Sequence, residues 1–407
     1  MAAEIRGDNI NDVFLKSLGF LENHGSLLRI RGSEVREVTN FTYRLTNIHN
    51  NVLTIPYRNN NFAALCFETL WVLSGRNDLK YLKYFLPNCG DYSDSIPGTF
   101  DFNPQGGIWG GAYGTRLRYG NNQNWRWNFH DKNVPHIIIG DQIFNVIRTL
   151  EKDLFSRQAI IIIGTSSDYD FDLDTKDRPC NVSLQFLVRN NKLDCTIFQR
   201  SGDAIWGAFN INIFEWTTLM KIIADCLNIP TGTLTHHITS FHYYIEQHEK
   251  TVENILTNKD DMPDIYRYFN IEPYLREHEL DDDYHKMLEF HYANISHSMS
   301  MIEDLIENKH DTESDSMFVD NDNNHYTINL FEMARAFILM KKGNNVNRLM
   351  GLINAYVDND LYLAAMLEYM VRYYKKNDGD KLPELITLIY EKFKDKPAVI
   401  DFITWSI

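Results

Sequence analysis

The chain has 407 residues, 44% of them hydrophobic, with 40 Lys and Arg set against 55 Asp and Glu. At roughly 100–200 residues per domain, this length predicts two or three domains and ample material for a core. The formal charge of −15 excludes general nucleic-acid binding and attraction to anionic membranes, though not a small anion held by a few local arginines. The five cysteines, at 66, 89, 180, 195 and 226, form no CxxC pair and read as reduced thiols. The longest aliphatic run, Ala159–Ile163, is too short to cross a bilayer. The first residues lack the basic flank and apolar stretch of an export signal, so a cytoplasmic protein is expected.

Residues 1 to about 250 mix strand-like and helical runs and hold Gly-rich turns (Gly106-Gly107, Gly110-Gly111, Gly202), an α/β or α+β pattern without an internal repeat. Phe62–Ser74 carries helical apolar spacing, Ala159–Ile163 and Val182–Val188 read as strands, and Ile213–Leu227 is again helical. From about 250 to 308 the chain turns helical and charged, with acidic clusters such as Glu279–Asp283. Residues 309–325 are polar, lack apolar periodicity and predict a linker. Beyond them, Leu330–Lys342, Val346–Val357, Leu361–Lys376 and Leu382–Phe393 predict four amphipathic helices. The expected organisation is a catalytic domain over 1–308, a linker over 309–325 and an interaction or stabilising bundle over 326–407.

The chemistry centres on Cys180, which follows Pro179 at the entrance of a predicted strand. An isolated cysteine is most often a buried structural residue. The segment Gln199-Arg200-Ser201-Gly202-Asp203 changes that reading. A guanidinium with a neighbouring hydroxyl clamps a phosphate, and a guanidinium near a thiol lowers its pKa. Taken singly, other candidates have structural readings. Glu68 would be a capped residue on an apolar helix, Arg36 and Arg157 surface charges, His242 and Tyr244 sheet partners, and Tyr113 an aromatic plug in a glycine-rich turn.

Together and in order, Arg36 in GSEVREVT, Glu68 in FETLWVLSG, Tyr113 in GGAYGTRLR, Arg157 in FSRQAIIII, Cys180 in RPCNVSLQF, the RSGD segment, Asn212 and His242-Tyr243-Tyr244 resemble the thymidylate synthase family. The resemblance covers about residues 30–250. It implies a mixed sheet packed in a homodimer, here with an all-helical C-terminal extension, and C5 one-carbon transfer from 5,10-methylenetetrahydrofolate to a uracil nucleotide such as dUMP. In that scheme the Cys180 thiolate adds to C6 and so makes C5 nucleophilic. Arg36, Arg200 and Ser201 would hold the phosphate, joined by Arg157 from the partner subunit. His242 and Tyr244 would contact the sugar. Tyr113 with ordered water would serve removal of the C5 proton, Glu68 the proton relay near O4 and the folate, and Asp203 the pterin. An Asn amide pairs with the O4 and N3–H edge of uracil. Asn212 fits the family register, with one extra residue after Arg200; Asn210 competes for that role.

The chain also departs from the family pattern. Asn181 follows the nucleophile where His is usual, Gln158 replaces the second arginine of the subunit crossing, and WGAFNIN replaces the usual loop. Tyr92 stands where a folate-side tryptophan is expected, Gly98–Gly111 reads as an altered loop, and the chain continues past the usual short tail. A looser folate side would admit water. Two products therefore stay open: dTMP, the first expectation, and 5-hydroxymethyl-dUMP. A nucleotide-binding relative without turnover is a third reading.

Overall fold

The computed structural model describes residues 4–94, 107–120, 140–170, 172, 174–269, 284–309, 325–357 and 359–407. Gly106, most of the Gly98–Gly111 loop, the Glu279–Asp283 cluster and nearly all of the expected linker lie outside the described residues. Among the described residues are seven strands: β1 (Glu4–Gly7), β2 (Ser26–Ile30), β3 (Ser33–Leu45), β4 (Ile160–Ile162), β5 (Asn181–Arg189), β6 (Lys192–Asp203) and β7 (Thr231–Tyr244). The helices are α1 (Ile10–His24), α2 (Phe62–Leu73), α3 (Leu79–Phe85), α4 (Tyr113–Tyr119), α5 (Gln142–Lys152), α6 (Asn212–Cys226), α7 (Ile245–Asn258) and α8 (Tyr284–Glu307), followed by α9 (His325–Lys341), α10 (Val346–Tyr356), α11 (Asp360–Asn377), α12 (Leu382–Lys392) and α13 (Pro397–Thr404).

The strands form one mixed sheet in the order β1-β3-β7-β6-β5-β4, with β2 added on β3. β5 and β6 are a hairpin closed by Asn190-Asn191, whose φ values of 51° and 55° are both left-handed, the conformation that a tight two-residue turn requires. Its register sets Asn181 opposite Gln199, so residues 180 and 200 meet at the open end of the hairpin. β7 runs parallel to β6, with Ser201 beside Ser240 and Asp203 beside His242. The RSGD and HYY segments are thereby gathered at one end of the sheet by strand pairing alone.

Alternate side chains Leu184, Phe186, Val188, Cys195 and Ile197 point into the core, as a period of two demands. Helices α2 and α6 cover that face of the protein and pack on each other. In α2 (FAALCFETLWVL) every residue except Glu68 is buried, so this helix has neighbours all round.

Those neighbours include the C-terminal extension. Helices α9 and α11 both pack on α2. Phe337 stacks on Phe85 at 4.9 Å between ring centroids, and Tyr362 meets Phe62 edge-on at 5.2 Å. The four expected helices are present as α9–α12, and α13 adds a fifth. The extension shares one continuous core with the sheet domain. Phe337→Ala is accordingly expected to cost about 3–5 kcal/mol, because a large ring leaves a cavity between α9 and α3. Thermal unfolding checks this, and an unchanged melting temperature would refute the shared-core description.

Candidate active site

Cys180 sits just before β5, and the Arg200 backbone N–H donates to its carbonyl at 2.9 Å. The Arg200 guanidinium is held by two backbone carbonyls: Nε donates to Pro179 O at 2.9 Å, and Nη2 to Arg178 O at 2.8 Å. So anchored, Nη2 lies 3.7 Å from the Cys180 Sγ. The Tyr169 hydroxyl donates to Pro179 O at 3.2 Å and braces the same loop, a contact with no signal in the sequence. Arg200 and Arg31 both pull the Cys180 thiol down, but burial pushes it up by more. The lowering expected of a nearby guanidinium is present, but desolvation outweighs it. Arg200→Ala is expected to slow alkylation of Cys180 and move its pH profile to higher pH. An unchanged profile would mean the guanidinium does not act on the thiol.

Electrostatic interactions link the thiol to Tyr113, Tyr113 to Glu215, and Glu215 to Glu68, side chains drawn from three helices. Glu68, on α2, has its carboxyl pushed up to about 8 by desolvation. Glu215, on α6, is pushed well above the carboxylate range by burial first and by Glu68 second. Tyr113 opens α4, its ring 5.5 Å from that of Trp216, and burial together with Cys180 and Glu215 holds its hydroxyl firmly protonated. That state suits Tyr113 to hydrogen-bonding and water placement rather than to acting as an anionic base. Asn181 accepts the Trp216 indole N–H at 3.3 Å and lies beside the Tyr113 hydroxyl.

Asn212 is the first residue of α6 and is buried. Its Oδ1 accepts from Gln199 Nε2 at 3.2 Å, and its backbone N–H reaches back to Gly207 O across a π turn, Gly207–Ile211. A π turn of this kind commonly adjoins functional side chains. Asn210 lies inside the turn, buried, with neither amide atom partnered.

Around this group lie the other candidates. His242 Nδ1 is 3.2 Å from the Ser240 carbonyl and 3.3 Å from the Ser240 hydroxyl, which fixes the ring. Its ring meets Tyr244 edge-on at 5.4 Å. Tyr244 feels the charges of Asp203, Arg31, Cys180 and Tyr92. Asp203 Oδ1 accepts from the backbone N–H of Ile205 at 2.8 Å and of Trp206 at 2.6 Å, fixing the loop that carries Trp206. Arg58 lies 5.7 Å from the Trp206 ring and donates to Ile205 O at 2.7 Å, and its buried Nη2 has no partner. Ser201 is half-buried beside Arg200, and its carbonyl accepts from Gln199 at 2.9 Å.

Two expected residues are not in this group. Arg36 is paired with Glu22 at 3.1 Å and donates to the Tyr243 hydroxyl at 3.2 Å. It is registered with Tyr243, so it shares that residue's face of the sheet, opposite to His242 and Tyr244. Arg31, in the turn between β2 and β3 at φ 52°, is the arginine near the thiol instead. Arg157 is exposed, with its carbonyl accepting from Gln185 at 3.0 Å. Among the described residues no cluster of His, Cys, Asp or Glu could hold a metal ion, and no helix is long and apolar enough to cross a membrane.

A thiol at a hairpin mouth with an anchored arginine beside it, together with carboxyls that burial keeps protonated, is an arrangement suited to covalent chemistry on a small anion. The thymidylate synthase family model matches residues 22–292, and the chain belongs to that family. It is 30% identical over 250 residues to the deoxyuridylate hydroxymethyltransferase of Bacillus phage SP01, covering 61% of each chain. A protein of the same description from Delftia phage PhiW-14 is 29% identical over 230 residues, covering 54% of this chain and 56% of that one. The thymidylate synthase of Phytoplasma mali (strain AT) is 28% identical over 247 residues, covering 53% of this chain and 78% of that one. The matched region spans about three-fifths of the phage relatives' own length.

Proposed function

We propose that this protein transfers a one-carbon unit from 5,10-methylenetetrahydrofolate to C5 of dUMP, and that water completes the reaction to give 5-hydroxymethyl-dUMP and tetrahydrofolate. The observation that carries the reading is the Cys180 thiol held 3.7 Å from an arginine locked on two carbonyls, with Tyr113 close enough to feel the thiol's charge. Arg200, Ser201 and Arg31 hold the phosphate, and His242 and Tyr244 take the sugar. Cys180 gives up its proton and bonds to C6 as the ring electrons move toward C5 and O4. Glu68, neutral below about pH 8, hydrogen-bonds the developing charge on the O4 side and relays a proton. Tyr113 places the water that takes the C5 proton before Cys180 leaves.

The folate supplies, when bound, a carbon at the oxidation level of formaldehyde. The residues present fit it: the Trp206 ring is 42% exposed and offers a stacking face, with Asp203 and the unpartnered Arg58 Nη2 beside it. Tyr92, at the position of the expected folate-side tryptophan, is 62% exposed rather than packed, which suits a folate side that admits water and so the hydroxymethyl product. The likeness to two phage hydroxymethyltransferases supports the same choice. Mass spectrometry of the product tests it. Hydroxymethyl-dUMP with tetrahydrofolate is expected, and dTMP with dihydrofolate would return the protein to the synthase reaction. The exposed apolar face of the sheet at Ile160, Ile162 and Phe198 fits a second copy of this chain, which would bring a partner's arginine at 157 toward the phosphate.

A further inference from the structure

We propose that Glu215 is the positioning residue of base recognition: its buried carboxyl fixes the Asn212 amide so that the amide presents the donor and acceptor a uracil edge requires. The proposal rests on the uracil reading given above. Glu215 stands one helical turn after Asn212, on the same face of α6. It is 1% exposed, and neither carboxyl oxygen has a well-formed hydrogen bond among the described residues. Its helix neighbours Ile213, Phe214, Trp216 and Leu219 are buried and apolar, and the buried hydroxyls of Thr217 and Thr218 are satisfied by backbone carbonyls, so a carboxyl without a well-formed hydrogen bond stands out among them. What surrounds the carboxyl is the site itself: Asn212 lies against it, Glu68 acts on it, and it acts in turn on Tyr113.

Donors and acceptors decide what the carboxyl can do. Reading uracil requires Asn212 to turn Oδ1 to N3–H and Nδ2 to O4. Gln199 holds Oδ1 at 3.2 Å, but its own Oε1 is buried without a partner, so Gln199 alone does not fix the pair. A protonated carboxyl supplies one donor and one acceptor, the complement of an amide. A carboxylate would supply only acceptors and draw Nδ2 away from O4. Burial and Glu68 push the group toward the protonated form and outweigh the Asn212 amide, which pulls the other way. The sequence conceals this residue inside an apolar helical run.

The test compares dUMP and dCMP in steady-state kinetics and calorimetry of the full chain. Glu215→Gln retains a donor and an acceptor, and is expected to hold the KM for dUMP and the preference over dCMP within about threefold. Glu215→Leu is expected to raise the KM for dUMP about tenfold or more and to erode the preference equally, with kcat changed less. Glu215→Asp draws the carboxyl back by one methylene and keeps the test alive if the leucine variant does not fold; a loss of preference of about tenfold is expected of it. A folded Leu or Asp variant with unchanged KM and preference overturns the proposal, as does equal damage in Gln and Leu confined to kcat. A wild-type protein that itself shows no dUMP preference sinks the uracil reading, a failure visible before any variant is made.

Discussion

Cys180→Ser is expected to bind dUMP within about threefold of the wild type while turnover falls by about 10⁴-fold or more. The groups proposed to hold the phosphate, Arg200 and Ser201, are fixed by the carbonyls of residues 178 and 179 and by the Gln199 side-chain amide, and do not depend on the thiol. The serine hydroxyl, by contrast, has no route to ionisation at neutral pH. Even the thiol, a far stronger acid, is held above its ordinary value by burial and relies on Arg200 and Arg31 to bring it back. Denaturing mass spectrometry should find the dUMP adduct on wild-type protein and none on the variant. A serine variant within tenfold of wild-type turnover would rule out the covalent route.

Glu68→Gln is expected to lower turnover by about 10²–10⁴-fold, the usual range for a lost general acid. The same carboxyl gives the protein a pH signature. Its folded value is about 8, against 4.5 for the ordinary group, so between these values the folded protein holds a proton that the unfolded chain has released. The stability associated with Glu68 is fully present below 4.5 and is lost as pH rises toward 8. The Gln variant removes this dependence and is expected to be more stable than wild type at pH 9 by roughly 2–4 kcal/mol. A tenfold change in proton affinity corresponds to about 1.4 kcal/mol, and relaxation of the folded protein around the charge reduces the total. Melting curves across that range check the sign. A Gln variant that loses stability at high pH as steeply as wild type would mean that Glu68 is ionised in the folded state. Wild-type turnover should fall above pH 8 for the same reason.

Much of the site is legible in the sequence because its residues come in compact local blocks. Pro179-Cys180 and Arg200-Ser201 are close in space because a two-residue hairpin forces them together, and that hairpin is readable from Asn190-Asn191 between two apolar runs. Arg36 departs from its expected place for a reason equally local. Strand side chains alternate, and being registered with Tyr243 rather than with His242 or Tyr244 turns a residue to the other face. Arg31 gives no sign of its place, since a left-handed turn residue follows no periodicity. Glu215 is hidden by its setting, an acidic residue within an apolar helix that reads as core until its missing partners are seen. The helical extension is visible as helices, yet its attachment is not, although α2 holds the clue. A helix apolar on every face needs covering on every face, and α9 and α11 supply the cover that the sheet domain lacks.

In the proposed reaction, activation of C5 of dUMP by Cys180 is the step on which one-carbon transfer depends. Its most direct test is release of tritium from C5-labelled dUMP in the presence of methylenetetrahydrofolate. Wild-type protein should release tritium in step with hydroxymethyl-dUMP formation, and Cys180→Ser should release none. Tight dUMP binding by wild-type protein with no tritium release would contradict the account.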